Sequence, residues 1–486
     1  MVKNFKTTDG REFAVYEDSL HDNLFMVDSG DCDYLVADPA LGFIGERVTC
    51  AECGKKRVLA PLNHHNANVL RKVYPWTAPQ RVLSRDKTIG VGDRLGIAGD
   101  GHIRVFRRFP DVTPVLAQQS IRELNLTNRT FHDVIDSASF TVFRCGYTNG
   151  FGADGDHVKT AREVSYALKS GATMITLDCS EQIDNSIDAL SKEEVDARYE
   201  SVRDRVLERY YMNRSFDIGE GISISFDEEL FKRTVLIYSK AVAHAVRIYN
   251  TLIIRNARQL ADFEVSIDET LTPTLPAQHF FVANELAKHY VNIATVAPRF
   301  CGEFQKGIDY IGDLEQFEQE MKVHAAIARK FGYKLSIHSG SDKFSIFSCA
   351  GKETRGRFHL KTAGTNWLEA MKLVAMKDPS LYREIHRYAL DGAFEEARKY
   401  YHVTTDLTKI PDLDSLSDSE LPDLFKNNDS RQLIHITYGL ILNEKNPDGS
   451  FKFRDRLYKL WRENKEGYAR LIDMHIGRHA SSICGD

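Results

Sequence analysis

From about residue 85 the chain alternates short apolar runs with amphipathic helical stretches. The strand-like runs are KTIGVGDR, PVLAQQ, FTVFRCG, ATMITLD, DFEVSID, NIATVAP, KLSIHSG and RFHLKTAG. Most are near-continuous apolar segments, the pattern of a parallel sheet covered on both faces. The stretches between them carry the helical period. In DLEQFEQEMKVHAAIARKFG, Leu314, Phe317, Met321, Ala325 and Ala328 recur three or four positions apart on one face, and Gly332 marks the stop. Eight strand–helix units over about 300 residues predict an α/β fold, a (β/α)8 TIM-like barrel, in preference to a six-stranded doubly wound sheet.

The flanks follow other rhythms. Residues 1–80 hold short strand signals, EFAVYE, NLFMVDSG and DYLVADP, and predict a small appended β-rich region. The barrel is expected over 81–390, with an irregular charged insertion at 181–230 after the fourth strand. Residues 391–486 read as a polar helical extension, in which DLDSLSDSELPDLFKNNDS is an acidic surface linker with a short helix.

Composition narrows the classes. The 486 residues are 42% hydrophobic and 27% charged, ordinary globular usage. A net charge of −5 argues against a broad nucleic-acid-binding face. No apolar run approaches the ~18 residues of a membrane span, and MVKNFKTTDGREF lacks a signal-peptide core. Eight cysteines, sparse and mostly inside strand-like runs, suit reduced thiols in a cytosol. Cys50 and Cys53 form one C-x-x-C near His64 and His65. Without a second paired unit they read as a turn with free thiols.

GFGADGDHVKT is the most pointed motif. Gly150, Gly152 and Gly155 spell G-x-G-x-x-G, and Asp178 lies where a ribose-binding carboxylate would be expected. Yet Asp154, Asp156 and His157 occupy the seat of the pyrophosphate, where a dinucleotide loop offers bare N–H groups. An acid–metal site is the better reading.

In such a barrel the working residues follow the strands on one rim. The eight strand ends deliver Asp93 and Arg94; Gln118, Gln119 and Ser120; Asp154, Asp156 and His157; Asp178; Glu264, Asp268 and Glu269; Arg299, Glu303, Lys306 and Asp309; His338, Ser339, Asp342 and Lys343; and Lys361 with Thr362. Imidazoles and carboxylates suit a divalent ion such as zinc, manganese, cobalt or nickel, and His157, Glu303 and His338 are the favoured ligands. Asp156 and Glu264 are the candidate acid/base pair. Asp156 also sits where a helix N-cap would, and Asp154 reads as a cap or an Asx residue. Gln119, Arg299, Lys306, Ser339, Asp342 and Lys343 are candidate substrate-binding groups, the cations giving the rim a positive bias that a carboxylated or phosphorylated substrate would meet. His244, His324, His475 and His479 read as helical residues without a role in chemistry.

At these residues the sequence resembles a known family. GVGDRLGIAGDGH, PVLAQQSIREL, GFGADGDHVKT, FCGEFQKGIDYIGD and LSIHSGSDKFSI are similar to the tagaturonate/fructuronate epimerases, some of whose relatives act on the neutral ketoses tagatose and fructose. The likeness runs from about Asp86 to Thr365, with more in the C-terminal helices. It implies a metal-dependent epimerase with His157, Glu303 and His338 as ligands and Asp156 and Glu264 as the two proton carriers; Glu303 and Glu264 rest chiefly on the resemblance. A small keto-uronate or ketose is the implied partner, with neither nucleic acid nor membrane, and association into homo-oligomers stays open. The inverted carbon would lie two bonds from a ketone, where its hydroxyl is placed for retro-aldol cleavage. A metal-dependent ketose isomerase or 3-epimerase, and a non-catalytic sugar-binding barrel, are the alternatives.

Overall fold

In a computed structural model, which describes residues 4–255 and 260–485, eight parallel strands close into a barrel. They are β1 Lys87–Gly90, β2 Val112–Ser120, β3 Gly152–Val158, β4 Met174–Asp178, β5 Asp262–Ile267, β6 Thr295–Pro298, β7 Lys334–Ile337 and β8 Phe358–Lys361. Each pairs with its successor in the chain, and β8 pairs with β1.

The strands are buried on both faces, but not by the same chemistry. Ile89, Ile175, Phe263, Val296, Leu335 and Phe358 join the surrounding helices in one apolar cluster. The alternate residues form a polar interior. Thr88 bonds His359 at 2.9 Å, Thr295 donates to Glu264 at 2.6 Å, and Lys334 donates to Thr88 at 3.0 Å. Period-two alternation thus sends apolar side chains outward and hydrogen-bonding ones inward. Much of the interior is thus a bonded polar core, beside a small separate apolar cluster of Val82, Leu83, Val115 and Met174.

The third strand corrects the sequence reading. FTVFRCG is not a strand; most of it belongs to the helix Phe131–Arg144. That helix opens on a Thr130–Asp133 capping box and buries Phe131, Val134, Ile135, Ala138 and Val142 at helical spacing. A short apolar run by itself fits a buried helix as well as a strand. The true β3 is the glycine–acid block, which has little intrinsic strand preference. Close packing requires its glycines. A Cβ on Gly155 would meet the Cβ of Ala167 at 2.6 Å, and one on Gly152 would meet a Val82 methyl at 2.8 Å. With Gly152 and Gly155 inside a strand, no dinucleotide loop exists here.

The flanks pack onto this frame. Strands Asn4–Lys6, Glu12–Val15, Leu24–Asp28, Asp33–Ala37, Lys56–Pro61 and Glu46–Thr49 make one six-stranded antiparallel sheet. Leu24, Met26, Leu35 and Ala60 pack from it onto Phe140 and Phe143 beside the barrel. Residues 181–230, expected to be irregular, hold helices Lys192–Glu200 and Arg205–Tyr211 and a hairpin, Arg214–Gly219 with Ile222–Phe226. Tyr211 and Phe216 seat that insert against Phe281 and Phe280. The last helix, Lys465–Cys484, crosses the helix Gly99–Arg108, where a Cβ on Gly101 would strike Ile472 at 2.5 Å. All eight cysteines are free thiols. Among the described residues no helix is long and apolar enough to cross a membrane.

Candidate active site

The end of β3 supplies the first imidazole by breaking its own alternation. Along the β4 edge, Gly155 stands opposite Ile175 and Val158 opposite Leu177, so β3 carries one extra residue there, a β-bulge. His157 lies in it with φ +50°, in the left-handed region that non-glycine residues rarely adopt. Such backbone strain is concentrated at functional sites. The bulge brings His157 Nδ1 within 2.7 Å of Asp156 Oδ1. The neighbouring helix takes its cap from Thr160, with Glu163 completing the box, so Asp156 is not an N-cap and is free for other work.

The second imidazole comes from the end of β7. His338 faces His157 with ring centroids 4.9 Å apart. Its Nε2 is 2.8 Å from Glu264 Oε1, and its Nδ1 is 3.3 Å from Asp268 Oδ2, close enough for an ion pair but not aligned as a hydrogen bond. That Nδ1 is buried and otherwise without a hydrogen-bond partner. The next turn is also strained, Ser339 at φ +49° and Asp342 at φ +63°.

Lys361, at the end of β8, ties the acids together. Its ammonium lies 2.7 Å from Asp156, 2.9 Å from Asp154, 2.9 Å from Glu264 and 2.5 Å from the Thr176 hydroxyl. Glu264 is fully buried in mid-strand, in register with Thr176 on one side and Thr295 on the other; both hydroxyls donate to it. Asp154, read from sequence as a cap, accepts instead from Lys361 and lies 2.9 Å from the Thr176 hydroxyl.

The electrostatics separate these groups. Burial raises Asp154 to about 6. Burial also pushes Asp156 and Glu264 up, but Lys361 with His157, and Lys361 with His338, outweigh it and hold both well below the ordinary carboxylate range. Burial disfavours protonated His157, yet Asp156 lifts it to about 10; His338 is raised in the same way, mainly by Asp268.

A cation would fit this donor set. His157, Asp268 and His338 offer ligand atoms all within 4.8 Å of one another. Each imidazole has one nitrogen against a carboxylate, His157 on Asp156 and His338 on Glu264, the arrangement that orients a metal-binding histidine. The buried, unbonded Nδ1 of His338 is the kind of orphan a metal would satisfy. Glu303 stands outside this trio, 40% exposed and 3.4 Å from His402. The carboxylate within reach of both imidazoles is Asp268, in view at the end of β5 but not among the favoured ligands.

The expected substrate-binding residues divide. Lys306 Nζ donates to Ser339 Oγ at 3.0 Å, beside His338. Gln119 is buried, accepting from Arg129 at 3.0 Å, its amide nitrogen unbonded. Arg299 donates to the Thr270 carbonyl. Asp342 is taken up by Arg431 at 2.8 Å and His475 at 3.1 Å, and its N–H donates to His479. Lys343 is spent on the carbonyls of Gln305, Ile308 and Ser341. His475 and His479, read as inert helical residues, therefore brace the turn that follows His338. No local sequence signal marks that role, because it depends on packing between distant segments.

Comparison with known proteins gives the family. A model of the tagaturonate epimerase family matches residues 15–483. The chain is 41% identical to a tagaturonate/fructuronate epimerase of Thermotoga maritima, over the whole of both chains. A crystal structure of a fructuronate-tagaturonate epimerase from Cohnella laeviribosi, complexed with one glycerol, superposes with a TM-score of 0.92 at 49% identity, covering 97% of this chain and 96% of that one. The native crystal structure of that protein gives the same TM-score at 48% identity. With its barrel, its facing imidazoles and its full-length likeness to these proteins, the chain belongs to the tagaturonate epimerase family and is itself an epimerase, an enzyme of the isomerase class.

Proposed function

We propose that this enzyme interconverts D-tagaturonate and D-fructuronate by inverting the hydroxyl-bearing carbon two bonds from the ketone, assisted by a divalent cation. One observation carries the reading: two buried carboxylates, Asp156 and Glu264, each bond one of two facing imidazoles, and both bond Lys361. The names borne by the relatives supply the substrate pair.

His157, His338 and Asp268 would hold the cation; bound there, it would act as a Lewis acid toward the substrate's ketone and hydroxyl oxygens. The chain's own groups do the rest. Asp156, kept ionised by the Lys361 ammonium, takes the proton of the hydroxyl at the inverting carbon. The adjacent carbon–carbon bond then breaks, leaving an enediolate half and an aldehyde half. The aldehyde turns over, and bonding to its other face forms the inverted alkoxide. A proton returns from the Glu264 side, where the Lys361 ammonium lies 2.9 Å from the carboxylate and can pass one on. Asp156 then gives its proton back to Lys361, 2.7 Å away, restoring the start. The C–H bond of the inverting carbon never opens. That suits its place, since a hydrogen two bonds from a ketone is not acidified by it.

The eight free thiols support a reducing cytosol as the place of work. The test is turnover of tagaturonate, fructuronate, tagatose and fructose, with and without chelator and added zinc, manganese, cobalt or nickel. Chelator-sensitive turnover of the two uronates supports the proposal. No inversion of either uronate under any metal overturns it.

A further inference from the structure

We infer that Lys306, with the Ser339 hydroxyl, is the anchor for the substrate's carboxylate and sets the preference for keto-uronates over neutral ketoses. This rests on the function proposed above and deepens it.

The argument is one of unmatched charge. Most of the cations around the barrel mouth are already engaged. Arg94 is paired with Glu123 at 2.6 Å, Arg431 with Asp342 at 2.8 Å, and Lys361 with three carboxylates. Lys159 lies 3.4 Å from Asp178. Arg299 donates to a carbonyl, and Lys343 is saturated by three. Lys306 differs. Its one hydrogen-bond partner among the described residues is neutral, Ser339 Oγ at 3.0 Å. The carboxylates whose fields reach it face other cations, Glu123 paired with Arg94, Glu269 4.0 Å from Lys159, and Asp268 with His338. A desolvated ammonium without a counter-ion is costly, and an anion arriving on the substrate removes the cost.

The placement fits the chemistry. Ser339 follows the candidate ligand His338 directly, so an anion on Lys306 and Ser339 lies beside the reacting centre. In a six-carbon 2-keto-uronate the carboxyl carbon is two bonds from the inverting carbon, on the side away from the ketone. Ser339 itself stands in the left-handed region at φ +49°. A neutral ketose presents a hydroxymethyl group instead and leaves Lys306 without an anion.

The test compares Lys306→Met and Lys306→Arg with wild type. For Lys306→Met, kcat/KM on the uronates should fall about 100-fold, mostly in KM, since one charge-assisted bond is worth about that ratio. On tagatose and fructose it should stay within about 3-fold, and Lys306→Arg should recover part of the uronate loss. Calorimetry gives a readout independent of turnover. Gluconate should bind wild type and lose about 100-fold in Lys306→Met, while sorbitol is unaffected. An equal loss on uronates and neutral ketoses, or unchanged gluconate binding, would overturn the inference. Failure of wild type to invert uronates would sink the proposed function instead, and the gluconate comparison would still decide the anchor.

Discussion

The rings of His157 and His338, from the third and seventh strands of the barrel, stand 4.9 Å apart across its mouth. Each is held by its own acid, Asp156 at 2.7 Å and Glu264 at 2.8 Å. Two imidazoles are therefore pre-aimed at one point, and the third donor within reach is Asp268.

That geometry makes the ligand set testable. Removal of a first ligand should do more than the 10–100-fold that loss of a supporting group typically costs a metal site. His157→Ala, His338→Ala and Asp268→Asn should each lose bound metal on dialysis and at least about 100-fold in turnover. Glu303→Gln should keep its metal. Elemental analysis of the dialysed proteins reads the outcome. Metal retained in Asp268→Asn but lost in Glu303→Gln would exchange the two assignments.

The acid pair predicts both a rate and an isotope result. Asp156→Asn and Glu264→Gln should each lower kcat by about 10²–10⁴-fold, the usual worth of a positioned proton carrier. In heavy water the inverted carbon should keep its hydrogen, as read by NMR of the product. Deuterium at that carbon would mean direct proton abstraction.

The closed end of the barrel carries a pH-dependent element. Lys334 is buried, donating to the carbonyls of Arg85 and Asp86 and to Thr88, and burial depresses its pKa from 10.5 to about 7. The unfolded chain therefore binds the proton more tightly. The cost of holding the charged form is present below pH 7 and relieved as pH rises from 7 toward 10.5, so this residue adds stability along that interval. Lys334→Met should lack the increment while losing about 1–3 kcal/mol from the orphaned acceptors. Urea unfolding of both proteins from pH 6 to 10 tests it; parallel profiles would refute it.

Gly155 should be irreplaceable for reasons of space. In Gly155→Ala the new methyl would meet Ala167 Cβ at 2.6 Å and Ile175 Cδ1 at 2.9 Å, forcing β3 from its helix at about 1–3 kcal/mol. Because β3 carries Asp156 and His157, activity should fall together with Tm, as read by turnover and thermal unfolding of the two proteins.

By itself the sequence determined the barrel, because seven of the eight strands carry apolar residues that can be buried only against helices. It also determined the rim, because acids and imidazoles cluster where those runs end. It could not place β3, since Gly152–Val158 has no strand propensity and is held as a strand by its neighbours. Nor could it see that Asp268, and not the favoured Glu303, lies within reach of both imidazoles, or that Lys361 joins Asp154, Asp156 and Glu264. A period-two pattern says which face a side chain takes. Which distant groups meet depends on barrel register, on one extra residue at His157 and on C-terminal helices that clasp Asp342. Those relations arise only when the ring of strands closes.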